Sequence, residues 1–129
     1  MANTVRHDLR GQAMRLQDPE IFQLHAEFCQ VLANRKRLMI LSLLAKREMS
    51  VGEIVDALGS RLSNVSQHMQ VLRNHNMVNR RREAQTVYYS LADPRLIHAC
   101  RLMREILLDD LKRRGVIASE VGVEELVPE

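Results

Sequence analysis

Apolar positions along the chain fall into several runs at helical spacing and one stretch at the two-residue spacing of strands, and turn residues separate them. Asp18-Pro19-Glu20 reads as a helix start, with Asp as the N-cap and Pro at the first helical position, where its missing N–H costs nothing. Ile21, Leu24, Phe28, Val31 and Leu32 then recur at helical spacing, which predicts a first helix to about Ala33. Asn34 is placed to cap a second helix, whose Leu38, Ile40, Leu41, Leu43 and Leu44 make it apolar on most sides and therefore central. Ser50-Val51-Gly52-Glu53 has the spacing of a capping box, and the short helix it opens runs through Leu58 to Gly59. Leu62, Val65, Met69 and Leu72 resume one helical face a few residues later. Two short helices joined by a tight Gly-containing turn make a helix-turn-helix.

The period changes after this fourth helix, which is expected to end near Asn76, a residue that tolerates the left-handed position past a helix end. Met77 to Arg82 and Thr86 to Leu91 read as two strands around the turn Glu83-Ala84-Gln85. Asp93-Pro94 opens a last helix that is expected to run to Arg114 and stop at Gly115. Leu96, Cys100, Met103, Leu107 and Leu111 form one seam of it, and Ile97, Leu102, Ile106 and Leu108 widen the apolar arc beyond what one small domain covers. Such breadth predicts a partner copy, with two-fold symmetry as the default. The pattern as a whole predicts a mainly α fold with a small β-hairpin, in five helices and a two-stranded wing. The expected divisions are an N-terminal arm over 1–17, one domain over 18–114 and a flexible acidic tail over 115–129.

A chain of 129 residues supports one core, not two. Aromatic residues are only 3% of it, with no Trp, so that core must be aliphatic and Met-rich, which favours packed helices. The N-terminal stretch carries no apolar run of signal-peptide length and no segment is long enough to span a bilayer, which leads us to expect a cytoplasmic protein. Cys29 and Cys100 are then expected as free or redox-active thiols rather than a structural staple. The net charge of +3 hides an asymmetry: without the four glutamates of the tail, twelve acids face all 19 Lys and Arg, a balance of +7. No acid occurs between Ala57 and Arg82, where Arg61, Arg73, Arg80, Arg81 and Arg82 lie. A field of that sign attracts a polyanion, and a merely solvated basic patch is the plain alternative.

The stretch Ser63 to Leu72, SNVSQHMQVL, decides between them. With Val65 inward, Leu62, Met69 and Leu72 share its side, Ser63, Gln67, Gln70 and Asn74 point away, and Asn64 and Ser66 lie on the flanks. A solvated helix normally carries Lys and Glu; this one carries short uncharged donors and acceptors of the kind that reach base edges in the major groove. The neighbouring arginines supply the attraction to phosphate. His68 lies nearer the core edge, where a hydrogen bond within the domain competes with a phosphate contact.

The segment from Met49 to Pro94, above all VSQHMQVL and TVYYSL, resembles the winged helix-turn-helix core of the ArsR/SmtB bacterial repressors. The resemblance covers roughly residues 18 to 112. It implies a homodimer through the first and last helices that binds an inverted-repeat operator in double-stranded DNA and leaves it when an inducer binds. It places Ser63, Asn64, Ser66, Gln67 and His68 in the recognition helix and Arg80, Arg81, Arg82, Gln85 and Thr86 in the wing. Arg61, Gln70 and Arg73 complete the expected DNA-binding set.

Departures from that family narrow the inducer. Ser50 and Gly52 stand where its arsenic- and cadmium-type members carry cysteines. Asp93, Arg95, Ile106 and Asp109 stand where a zinc-type site would need two imidazoles, and Arg95 would repel a cation. Cys29 and Cys100 remain, on two elements that the family fold packs together. They are candidates for a reversible disulfide or polysulfide link or for a soft thiophilic ion, with His25 one helical turn before Cys29 as an added ligand. The family's dithiol sensors place their cysteines elsewhere, at positions that match Ser42 and about Leu108, so the match is in number and not in place. A free Cys is otherwise a small buried hydrophobe. The reading is a DNA-binding repressor switched by an oxidant, reactive sulfur or a thiophilic metalloid or metal, with no certain cofactor. The alternative is an inducer-independent winged-helix regulator or anti-repressor that competes for DNA or binds another protein. No Gly-rich phosphate loop or nucleophile motif supports an enzyme.

Overall fold

The computed structural model describes residues 18–119 together with Arg15. The expected arm, Arg15 aside, and residues 120–129 of the expected tail lie outside the described residues. Helix α1 spans Pro19–Leu32, with Asp18 at its N-cap. The Asp18 carboxylate accepts from the upstream Arg15 backbone N–H at 2.8 Å instead of from the helix, so the cap is positional only. Helix α2, Arg35–Leu44, is capped as expected: Asn34 Oδ1 accepts from the Arg37 backbone N–H at 3.1 Å. Helix α3, Val51–Leu58, opens on the full capping box, in which Ser50 Oγ takes the Glu53 N–H at 3.1 Å and Glu53 returns the bond to the Ser50 N–H at 2.9 Å. It stops at Gly59, whose φ of 62° is the left-handed conformation that glycine adopts without strain.

Helix α4 spans Leu62–Asn74, and Asn76 beyond it takes φ 58° while the Met77 N–H reaches back to the Leu72 carbonyl at 2.9 Å. That six-residue closure directs the chain into strand β2, Val78–Glu83, which pairs antiparallel with strand β3, Thr86–Leu91. The pairing of Glu83 with Thr86 leaves a two-residue turn, Ala84-Gln85, where three residues were expected, and Ala84 carries φ 54° without being glycine. The hairpin is the expected two-stranded wing, and the sheet it belongs to has one strand more. A strand β1 of two residues, Met49–Ser50, adds to the other edge of β3 in the order β1-β3-β2. Two residues are too few to show a periodicity, which is why the sequence hid them. Helix α5, Arg95–Arg113, closes the fold, and its end is turned by Gly115 at φ 70°.

The core gathers where α2, α3 and α4 meet. Ile40, Leu41, Ile54, Val65, Met69 and Leu72 are wholly shielded, each stabilising the fold by about 1.5–3 kcal/mol. Tyr89 is the aromatic that the sheet contributes. One assignment fails here: Leu62, expected in this core, is 56% exposed because it stands at the first residue of α4, a turn ahead of the buried stripe. Helices α1 and α5 are the opposite of the centre. Only Val31 and Leu32 of α1 are buried, and α5 buries Ile97, Cys100 and Leu108 while leaving Ile106 72% exposed beside Leu102, Met103 and Leu107. An apolar arc on one described chain is thus left without cover. No helix among the described residues is long and apolar enough to cross a membrane.

Candidate nucleic-acid interface and thiol groove

Helix α4 is seated by Val65, Met69 and Leu72, and this fixes what its other side presents. Ser63, Ser66, Gln67, Gln70 and Arg73 are exposed, as is Arg61 at the N-cap. The Gln70 amide donates to Asn74 Oδ1 at 3.0 Å, which orients both side chains along the outer face. Asn64 is half-buried and its Oδ1 accepts from Lys36 Nζ at 2.9 Å, leaving the amide nitrogen as its free donor. His68 is not on the outward face. It is half-buried and its Nδ1 accepts from Arg37 Nε at 3.2 Å, so that nitrogen is used to hold α4 onto α2. Burial first, then the nearby Arg37 and Lys36 cations, lower its pKa below the ordinary histidine value.

The three wing arginines divide by strand alternation. Val78, Arg80 and Arg82 share the face that Val78 carries into the core, and both arginines extend beyond it into solvent. Arg81 faces the other way. Its guanidinium is held by both Glu48 oxygens, at 2.7 and 3.2 Å, and by Glu83 at 3.0 Å, and it lies 4.6 Å from the Tyr88 ring centre. Its charge is therefore spent within the fold, and Glu48 is held below the usual carboxylate range by the same bond. Gln85 stands exposed at the turn and Thr86 half-buried beside it.

Helices α1, α2 and α5 enclose a groove of about 310 Å³ lined by Cys29, Leu32, Ala33, Leu38, Cys100, Met103, Arg104 and Leu107. The structure thus brings Cys29 and Cys100 to one groove, both as free thiols, Cys29 exposed and Cys100 buried. Burial pushes the Cys100 thiol up, against a smaller opposing effect of Arg104. Arg104 donates through Nη2 to the buried Ser42 Oγ at 3.0 Å, while its Nη1 is buried without an acceptor among the described residues. His25 is exposed on α1 and does not line the groove. Among the described residues no three His, Cys, Asp or Glu side chains gather to hold a metal ion. The Asp93 carboxylate is engaged by Arg95 at 2.7 Å, which holds it at a pKa of about 2.

Sequence reasoning missed Lys36 and Arg37, which anchor the recognition helix, and Arg104 in the groove. A signal was present for the first two. Arg35-Lys36-Arg37 puts three cations into the first turn of a helix, where the helix dipole disfavours them, and so asks for another reason.

Residues 34–80, from the α2 cap to the middle of β2, match the model of bacterial regulatory proteins of the arsR family. The nodulation protein NolR of Rhizobium meliloti is 40% identical over 88 residues, 68% of this chain and 72% of that protein. The crystal structure of Rv0081 from Mycobacterium tuberculosis superposes with a TM-score of 0.69 at 36% identity, covering 77% of this chain and 99% of that one. A homodimeric winged helix-turn-helix DNA-binding domain from Mycobacterium bovis, a possible ArsR-family transcriptional regulator, superposes at 0.65 with 30% identity, covering 78% and 95%. With the helix-turn-helix, the wing and the neutral hydrogen-bonding face of α4 already in place, these similarities identify the chain as a DNA-binding transcriptional regulator that belongs to the ArsR family.

Proposed function

We propose that the chain is a homodimeric repressor that reads an inverted-repeat operator and releases it when Cys29 and Cys100 are chemically modified. The observation that carries this reading is the groove that holds both thiols beside the uncovered apolar arc of α5. A second copy packed on that arc would pair two α4 helices, which must enter successive major grooves roughly 34 Å apart. The homodimeric Mycobacterium bovis domain supports the same assembly. A change at the groove that alters dimer geometry then weakens binding at both half-sites at once. Ser63, Asn64, Ser66 and Gln67 read bases, Leu62 offers an apolar contact to a thymine methyl, and Arg61, Arg73, Arg80 and Arg82 neutralise phosphates. Cys29, being exposed, is the thiol that meets the reagent, and Cys100 is the one that resolves it.

One observation favours a second reading, a winged-helix regulator or anti-repressor without an inducer: Cys100 is buried among aliphatic side chains with its thiol pushed up, as an inert Cys is. The experiment selects an inverted-repeat duplex from a random library. Affinity is then measured at several salt concentrations for the wild type and for Cys29→Ser with Cys100→Ser, with and without diamide, polysulfide or arsenite. The favoured reading expects operator release in the wild type only. No sequence preference and no salt slope would sink the DNA reading, while equal release in both proteins, or none in either, leaves the switchless one. Expression from a reporter behind the selected duplex decides the sign of regulation.

A further inference from the structure

We propose that Arg37 is a positioning residue that ties the groove end of α1 to the DNA-reading helix, grasping the Val31 carbonyl with one nitrogen and the His68 imidazole with another. The Val31 carbonyl belongs to the last turn of α1, where carbonyls have no partner within the helix, and Arg37 Nη1 donates to it at 2.9 Å. From the same planar guanidinium, Nε donates to His68 Nδ1 at 3.2 Å. A rigid fork therefore spans from α1 to α4, and its own backbone N–H is fixed by the α2 cap, Asn34. Lys36 repeats the attachment one residue earlier through Asn64. Val31 lies two residues after Cys29 and precedes Leu32, and both neighbours line the groove. Displacing the end of α1 moves an acceptor of Arg37, and the guanidinium carries that displacement to the middle of α4.

The His68 bond requires an unprotonated Nδ1, so the neutral ring carries its hydrogen on Nε2. The charged groups that face the ring are Arg37 and Lys36, both from α2, and both oppose its protonation. The inference rests on α4 as the DNA-reading helix and not on thiol chemistry, which keeps its failure separate from that of the proposed switch.

The test uses the full-length protein in a Cys100→Ser background and alkylates the exposed Cys29 with N-ethylmaleimide to push on α1. The affinity for the selected duplex is recorded for the wild-type pair, Arg37→Lys, His68→Leu and His68→Gln, and the imidazole ¹⁵N shifts of His68 for the wild-type pair and Arg37→Lys. Loss of one charge-assisted bond corresponds to about a tenfold loss of affinity. We expect alkylation to weaken binding about tenfold and shift the His68 resonances where the tie is whole, to do neither in Arg37→Lys, and to leave binding unchanged in His68→Leu. His68→Gln, which offers an uncharged acceptor that does not titrate, should restore the response and abolish any loss of affinity as pH falls through the lowered folded value of the His68 imidazole. An alkylation response of equal size in all four proteins, or its absence from the wild type, overturns the proposal. Should Arg37→Lys not fold, the His68 pair decides alone.

Discussion

Gln67 and Met69 lie two residues apart on α4 and should fail in opposite ways when truncated. Gln67 is exposed, whereas Met69 is wholly shielded among α2, α3 and α4. Met69→Ala removes buried volume from a packed site, a loss of about 2–5 kcal/mol against a domain stability of about 5–15 kcal/mol. It should lower the melting temperature by roughly 10 °C or more. The fraction still folded at low temperature presents an unaltered outer face, so its affinity for the selected duplex should stay within about threefold of wild type. Gln67→Ala touches nothing in the core and should leave stability within about 0.5 kcal/mol. On the proposed function it removes a base contact worth about 1–3 kcal/mol in each half-site. Two half-sites make at least about 2 kcal/mol, or roughly 30-fold in affinity. Thermal melts followed by circular dichroism and fluorescence anisotropy on the duplex read the two quantities separately. A Gln67→Ala protein that binds as well as wild type, or a Met69→Ala protein that melts normally yet loses binding, would refute this assignment of the two faces of α4.

The remaining expectations address the other elements. Because burial, Arg37 and Lys36 lower the His68 pKa, the unfolded chain takes up that proton first as pH falls. This contribution to stability is therefore full above pH ~6.5 and is lost as pH falls through the folded value, a loss that urea titrations should show in the wild type and not in His68→Gln. Ile106→Glu places a charge on the uncovered arc of α5 and should weaken dimerisation at least tenfold by sedimentation, with operator affinity falling alongside; an unchanged dimer would move the interface elsewhere. Ala84→Gly relieves a left-handed turn residue and should stabilise the protein by about 1 kcal/mol in denaturant titrations. Each lost phosphate contact flattens the salt slope by about 0.9, so Arg80→Gln should reduce the slope of a dimer by about 2, whereas Arg81→Gln should leave it unchanged.

The strongly marked elements were legible because several local signals agreed at each. Ser50 and Glu53 specify the start of α3, Gly59 its end and Asn76 the end of α4, and each takes the conformation its chemistry predicts. The outward set of α4 was legible for the same reason, since Val65, Met69 and Leu72 leave only one orientation. What escaped is non-local. Strand β1 exists because β3 offers a free edge, not because Met49-Ser50 favours extension. His68 and Asn64 were turned into internal acceptors by Arg37 and Lys36, residues about thirty positions earlier that no period links to α4. Arg81 looked like its neighbours until the fold brought Glu48 beside it, 33 residues earlier in the chain.

The pairing of Arg81 bears on how a nearly neutral recognition helix still finds DNA. A run of three arginines on an edge strand necessarily splits two against one between the faces of the sheet. The charge of the single residue on the far face, Arg81, is absorbed by the fold in Glu48, Glu83 and the Tyr88 ring. Arg80 and Arg82 are left as exposed cations, on the sheet face that Val78 shares with the core. With Arg61 at the head of α4 and Arg73 in its last turn, four cations flank a face whose own groups are uncharged. Long-range attraction then comes from the periphery and carries no sequence information, while the hydrogen-bonding centre contributes only when the base edges match. Adding a Lys to the middle of α4 would raise affinity for every duplex, and discrimination between operator and random DNA would fall.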